Sequence, residues 1–522
     1  MPGAQVKTLP APVGGLNAFD SIVGMPETDA INIVNWWPQV YGCLLRFGYQ
    51  EHANGLGGDI RTLAPYRDSL GAEVLYAFAN GSMFDATSVG TVGAADITGL
   101  VTDFWQYTQF ANSAGSHLIA FSGADDGIWI SDAGIQRLVL GDGVVNATWM
   151  NVDPKNLIDA TVHQRRVWAV QKDTTYGWYL PPDQVYGVAS RFDFGPLFKR
   201  GGYLAHLATW TVDDGDGADD MLVAVSSQGE VAVYRGIDPS SADTWALTGV
   251  YFMGAPVSGR RFSTKVGGDV KFMTYQGLVS LNDMLTSTKT TAAQNTVEAR
   301  KVQPALSAAA RNTGVLAGWQ LYFYPTENML LINVPSNTSA GNTQFAENTT
   351  NSAWTQFLGY DASCFATYQN KPFFGTKEGV IYQGWTGQAD KVMLGDNLGG
   401  TEVVGYVQQA YSYLNAPGIQ KQIGMYKPTF LVSADAIYAS KVVYDFLFES
   451  PDFGLAPPSN DGARWDISLW DQAVWTGGLK TQRIWSQAEG MGVAASFSYA
   501  VRAKSEVTLV ATDFTYKTGG IF

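Results

Sequence analysis

Apolar and polar positions alternate along this chain in short runs, and the runs come in pairs. Residues 371–385 read KPFFGTKEGVIYQGW. The apolar stretches Pro372-Phe373-Phe374 and Val380-Ile381-Tyr382 flank a polar turn with a glycine, which is the pattern of a β-hairpin. Six more strings line up with it: VLYAFANGSMFD (74–85), LIAFSGADDGIWI (118–130), VWAVQKDTTYGWYL (167–180), LVAVSSQGEVAVY (222–234), VKFMTYQGLVSL (270–281) and QLYFYPTENMLLIN (320–333). Aligned on Gly81, Gly127, Gly177, Gly229, Gly277, Asn328 and Gly379, they recur at intervals of 46, 50, 52, 48, 51 and 51 residues.

A nearly constant period of this size marks a repeat architecture. About 25–35 residues lie between hairpins, room for two more short strands. Four strands per ~50 residues is the size of one propeller blade. A lone four-stranded blade leaves both faces in water, and stacking blades about an axis covers each face with its neighbour. The pattern therefore predicts an all-β fold, a β-propeller of six or seven blades over 57–390, with an ordinary β-sandwich as the alternative.

Two parts of the chain depart from this pattern. Residues 291–312, TAAQNTVEARKVQPALSAAARN, are rich in helix formers and predict a helical insertion between blades, with Pro304 ending one helix and opening the next. The flanks, 1–56 and 391–522, lack the repeat. The second of them alternates again, as in Val507-Thr508-Leu509-Val510-Ala511-Thr512-Asp513-Phe514. They predict a second β-rich domain assembled from the N- and C-terminal segments: an N-terminal docking part (1–56) and a C-terminal platform (391–522). Trp36-Trp37 and Trp465, Trp470, Trp475 and Trp485 are its core aromatics or its docking anchors.

Composition agrees with the pattern. The 522 residues include 57 glycines and 13% aromatics, with only 15% charged residues, a balance suited to strands and tight turns. The net charge of −14 and the absence of any basic run argue against a protein that grips nucleic acid or an anionic membrane. No stretch approaches the ~18 apolar residues of a membrane span. Two cysteines 321 positions apart, Cys43 and Cys364, exclude a disulfide scaffold and point to a reducing compartment.

Candidate chemistry is sparse. His52, His117, His163 and His206 have no zinc-type spacing. There is no GxSxG elbow and no P-loop. GMGVAA (490–495) matches a dinucleotide fingerprint by letter but follows a polar stretch, Ser486-Gln487-Ala488-Glu489. VDDGDGADD (212–220) gathers Asp213, Asp214, Asp216, Asp219 and Asp220. It reads as a solvated acidic loop, with Ca²⁺ binding as the alternative, and it lacks the spacing and bidentate Glu of an EF-hand. Asp125-Asp126 only loosely matches a sialidase-type Asp box. No residue set reads as catalytic, cofactor-binding or metal-binding, so the expectation is a protein that is not an enzyme and needs no cofactor.

Several long strings carry a likeness. PVGGLNAFDSIVGMPETDAINIVNWWPQVYG (12–42), DGDGADDMLVAVSSQGEVAVYRGIDPSSADTWALTGVY (214–251), VQPALSAAARNTGVLAGWQLYFYPTENMLLINVP (302–335), WTQFLGYDASCFATYQNKPFFGTKEGVIY (354–382) and QQAYSYLNAPGIQKQIGMYKP (408–428) resemble, in order, the tail nozzle (tail tube, distal tubular) proteins of short-tailed bacteriophages. The resemblance covers most of 12–430 and is weaker over the last ~90 residues. It implies a structural virion protein: a hexameric ring below the portal and adaptor proteins, carrying tail fibres or spikes and surrounding the channel through which DNA leaves. It implies residence in the virion tail after assembly in the host cytoplasm, and no catalytic residues. Six copies at −14 each would carry −84, a charge that repels phosphate, so DNA is expected to pass without tight binding. The alternative is a propeller that binds or cleaves glycans, which needs paired carboxylates near the axis.

Overall fold

Each of the seven strings folds as an antiparallel hairpin. The computed structural model describes residues 5–141, 147–213, 218–286, 299–339, 341–395, 399–453 and 479–521. The chain is all-β with a propeller arrangement and few helices. Five sheets follow one another as blades between Thr62 and Ser280. Their first strands are Thr62–Arg67, Gln106–Asn112, Leu157–His163, Leu204–Asp213 and Ser263–Val266. Two further sheets, which begin with Gln320–Tyr324 and Ala362–Tyr368, carry the succession on. Each first strand packs against the next sheet, and Ala362–Tyr368 packs against Thr62–Arg67, so the ring is shut. The last sheet gains its outer strand from before the first blade: Tyr49–Asn54 pairs with Ile381–Gly384.

The middle strands are buried on both faces. Along Arg166–Gln171, Val167 and Ala169 enter one inter-sheet cluster, while Trp168 and Val170 enter the next. Successive side chains of a strand point to opposite faces, so a strand between two neighbours reads as a continuous apolar run. Burying each such Val, Leu, Ile or Phe side chain contributes roughly 1.5–3 kcal/mol.

The repeat differs from its sequence reading in phase. In six of the strings the hairpin joins the second and third strands of a sheet; in 320–333 it joins the first and second, Gln320–Tyr324 and Met329–Val334. Asn328 fits the period because it is a left-handed turn residue like Gly81, Gly229 and Gly379 (φ +50° against +69°, +86° and +75°), not because it is equivalent to them. Gly127 and Gly177 are not turn residues at all. They lie in strands, where a Cβ would approach the rings of Phe121 and Phe194 to 2.8 and 2.9 Å.

Strands from both chain ends form one further sheet and extend the sheet that begins with Gln320–Tyr324, where Val34 pairs with Gln356. Gln5–Pro10 pairs with Val507–Ile521, which pairs in turn with Ile419–Val432. Facing them, Thr401–Gln409 lies between Ala30–Val34 and Ala495–Ala503. Aromatic rings join the two layers, with Phe497 5.6 Å from Tyr426 and 5.0 Å from Phe514. Trp36 is buried in the same core, Trp37 is buried instead against Phe357 and Trp385, and Trp485 is exposed, with the Lys427 ammonium over its ring at 4.8 Å. Trp465, Trp470 and Trp475 lie outside the described residues.

The helix Gln303–Thr313 starts with Pro304 in its first turn, where the missing N–H costs nothing. It buries Leu306 and Ala310, and Ser307 Oγ donates to the Gln276 carbonyl at 2.7 Å. Of the expected insertion, residues 291–298 lie outside the described residues. Among the described residues no helix is long and apolar enough to cross a membrane.

Candidate functional site

The first strands of the ring surround a half-open axial cavity of about 420 Å³. Its floor is made by the connection into Ser263–Val266. Arg260 Nη1 donates to the carbonyls of Ser122 (2.9 Å) and Ile158 (3.0 Å). Arg261 reaches further round, to the Arg61 carbonyl (2.9 Å), Thr62 Oγ1 (2.8 Å) and the Trp105 carbonyl (2.8 Å), with Phe104 beneath its guanidinium. These acceptors sit at or next to the beginnings of first strands or at a strand end, so two arginines tie several sheets together across the axis. Burial lowers the pKa of both guanidinium groups, and also that of Lys265 on the cavity wall.

Just above this floor, three consecutive first strands place an acid, an imidazole and a hydroxyl in line. Asp159 Oδ2 is 2.6 Å from His206 Nδ1, and His206 Nε2 is 2.7 Å from Ser263 Oγ. The Leu207 amide also donates to Asp159 Oδ2 at 3.3 Å. The Phe262 ring packs against the imidazole at a steep angle of 68°, with 5.4 Å between ring centres. With the carboxylate at Nδ1, the proton belongs on that nitrogen, leaving Nε2 to accept from the Ser263 hydroxyl. The aspartate is 5% and the histidine 14% exposed, enough burial to hold the geometry and enough opening to meet a solute.

Sequence reasoning treated His206 as an isolated histidine. Its partners lie 47 residues before it and 57 after, so no local motif contains them. The repeat itself held the signal, because both separations approximate one blade and bring equivalent strands to the axis.

The other sequence candidates lie apart from this site. His52 Nε2 bonds the Ala86 carbonyl at 2.9 Å. His117 bonds the Asn112 side chain and accepts from Trp129 Nε1. His163 is buried beside Trp245, and burial pulls its pKa down to about 4. Asp125 accepts the amides of Val101 and Thr102, which anchors a connection, and Asp126 pairs with Lys155 on the surface. Of the acidic loop, Asp214 and Asp216 lie outside the described residues, as do the side chains of Asp213 and Asp219; Asp220 accepts from Thr211 Oγ1 at 2.7 Å. GMGVAA leads into the strand Ala495–Ala503 rather than a helix, so it has no phosphate-binding helix terminus. Cys43 and Cys364 are buried and unbridged. Among the described residues no three His, Cys, Asp or Glu side chains converge as a metal site requires.

No family model matches the chain, and no curated protein matches it. Among solved structures it is similar to PorZ, a surface component of the type IX secretion system of Porphyromonas gingivalis, at 14% identity and TM-score 0.37, over 71% of this chain and 44% of that one. The chain thus spans less than half the length of PorZ. It is also similar to YCF48 bound to D1 peptide, at 8% identity and TM-score 0.36, over 67% of this chain and 95% of that one. A third likeness is to a quinoprotein alcohol dehydrogenase-like protein of Bacteroides thetaiotaomicron, at 8% identity and TM-score 0.32, over 60% and 66% of the two chains.

Proposed function

We propose that this chain is a structural virion protein, a tail nozzle whose propeller has seven blades and whose helical segment near 291–312 is an insertion between two of them. The observation that carries this reading is the ordered run of resembling strings over 12–430, which spans both the ring of sheets and the sheets built from the chain ends. Six copies form a ring beneath the portal and adaptor proteins and carry tail fibres or spikes. The genome passes between copies, not through a propeller. A B-form duplex, whose major groove alone is about 12 Å wide, has no path along an axis floored by Arg260 and Arg261. Exposed apolar side chains among the C-terminal strands and turns (Met425, Leu447, Phe448, Ile484 and Trp485) supply surface for contacts between copies or with fibres. The excess of acidic residues keeps the passage from holding DNA.

A glycan-cleaving propeller has less support, because Asp159 is the only carboxylate among the described residues lining the axial cavity. The test is mass measurement and imaging of the full chain with and without its adaptor ring, together with a protein inventory of purified particles. Sixfold rings and presence in the tail are expected. A chain that stays monomeric on the adaptor ring and is absent from particles overturns the reading.

A further inference from the structure

We propose that Ser263 is a nucleophile activated by His206 and positioned by Asp159, and that the axial cavity hydrolyses short-chain carboxylic esters. Hydroxyl, imidazole and carboxylate are joined by contacts of 2.7 and 2.6 Å in the order that nucleophilic catalysis requires, on strands rather than mobile loops. The site also has a place for the oxyanion. Val266 and Asp269 close a two-residue turn at Gly267-Gly268. Ladder alternation then directs the amides of Val266 and Thr264 to the neighbouring strand and those of Ser263 and Lys265 to the axis. Beneath them, Arg260 and Arg261 set positive charge against a developing alkoxide.

The chemistry balances with water as co-substrate. Ser263 Oγ adds to the ester carbonyl while its proton passes to His206 Nε2. Collapse breaks the acyl C–O bond, and the alcohol leaves with that proton. Water then adds to the acyl-serine, giving a proton to Nε2. The carboxylic acid departs as that proton returns to Ser263 Oγ. A cavity of about 420 Å³ limits the acyl group and alcohol to small ones. This proposal is independent of the nozzle reading, since labelling of a serine and counting of copies are separate measurements.

The test treats the full chain with a fluorophosphonate probe, maps the adduct by mass spectrometry, and follows hydrolysis of p-nitrophenyl acetate. Labelling at Ser263 is expected, lost in Ser263→Ala along with at least a ~100-fold fall in turnover. Asp159→Asn is expected to lower kcat about 10³-fold or more with little change in KM, a split that a merely structural aspartate would not give. Ser263→Cys preserves the side-chain size and the contact with His206. It should react with iodoacetamide far faster than buried Cys43 and Cys364. A folded protein whose Ser263 takes no label, or whose ester turnover survives in Ser263→Ala, overturns the proposal and leaves the hydrogen-bonded line as a clamp between three sheets.

Discussion

The ring of sheets and the body built from the chain ends use the same strands and side chains but solve opposite problems. In the ring, most partners are near in sequence. Glu73–Ala79 folds onto Ser82–Asp85 through Asn80-Gly81; from outside, Tyr49–Asn54 completes the last sheet and Ala30–Val34 pairs with Ala353–Phe357 of the sheet before it. In the terminal body, Gln5 faces Tyr516 and Val34 faces Tyr406. Local hairpins close small loops at little entropic cost, whereas pairing the two ends must await the rest of the chain. The ring can therefore assemble blade by blade, and the terminal body acts as a lock on the finished ring.

The lock has a specific bolt. Arg46 is fully buried beside the N-terminal strands and makes two contacts with Asp390, at 2.7 and 2.6 Å. Its guanidinium also lies 4.5 Å from the Tyr360 ring centre, donates to the Leu358 carbonyl, and bonds Asn35 Oδ1 at 2.9 Å through Nε. One side chain thus ties the N-terminal segment to the connection that enters the last sheet (Leu358, Tyr360) and to the segment that follows it (Asp390). Coulombic attraction to Asp390 holds its pKa above the usual value even though desolvation alone would lower it.

The sharpest way to break the comparison is to break that bolt. Arg46→Ala or Asp390→Ala leaves a buried partner charge uncompensated and should cost about 3–5 kcal/mol. Two probes, one in each region, should lose structure at different denaturant concentrations in either variant. A single shared transition with no loss of stability would refute the lock.

Acid gives the next largest effect and should separate the regions without mutation. His117, His163 and His206 lie in strands of the five blades, and His52 lies in the strand that completes the sheet beginning with Ala362–Tyr368. Burial lowers the pKa of His52, His117 and His163, the last to about 4. Because folded values lie below unfolded ones, the unfolded chain takes up protons first. Stability is full above pH ~6.5 and falls as the pH drops toward 4, by about 3 kcal/mol for His163 alone. His163→Asn should flatten that slope, as read from denaturation midpoints at pH 7, 6, 5 and 4. An unchanged slope in the variant would clear His163 of the effect.

The smallest effect calibrates the others. Arg165 pairs with Asp183 on the ring surface, but its side chain is 76% exposed. Arg165→Ala should change stability by no more than about 1 kcal/mol, because water and salt screen an exposed pair. A loss comparable with that of Arg46→Ala would mean that burial is not what distinguishes the bolt.

Much of this was legible before any coordinates. Period-2 alternation on either side of short polar turns located all seven hairpins, although two of the glycines used to align them lie in strands, and Pro304 located the start of a helix. The phase of 320–333 was not legible. Gln320–Tyr324 and Met329–Val334 alternate just as a second and third strand would, and nothing local distinguishes an inner strand from a middle one. The site was missed for a related reason. Asp159, His206 and Ser263 each look ordinary within their own strands, and their meaning comes from the strands they stand beside.

By itself the sequence determined the strand grammar, the repeat and the all-β class, because those depend on neighbours a few positions apart and on the two-residue period of the pleat. Tertiary structure alone decided which strands come to the axis, which buried cation meets which carboxylate, and that Asp159, His206 and Ser263 fall into line. Those relations join residues 47, 57 and 344 positions apart. They exist only once the ring has closed and the two ends of the chain have met.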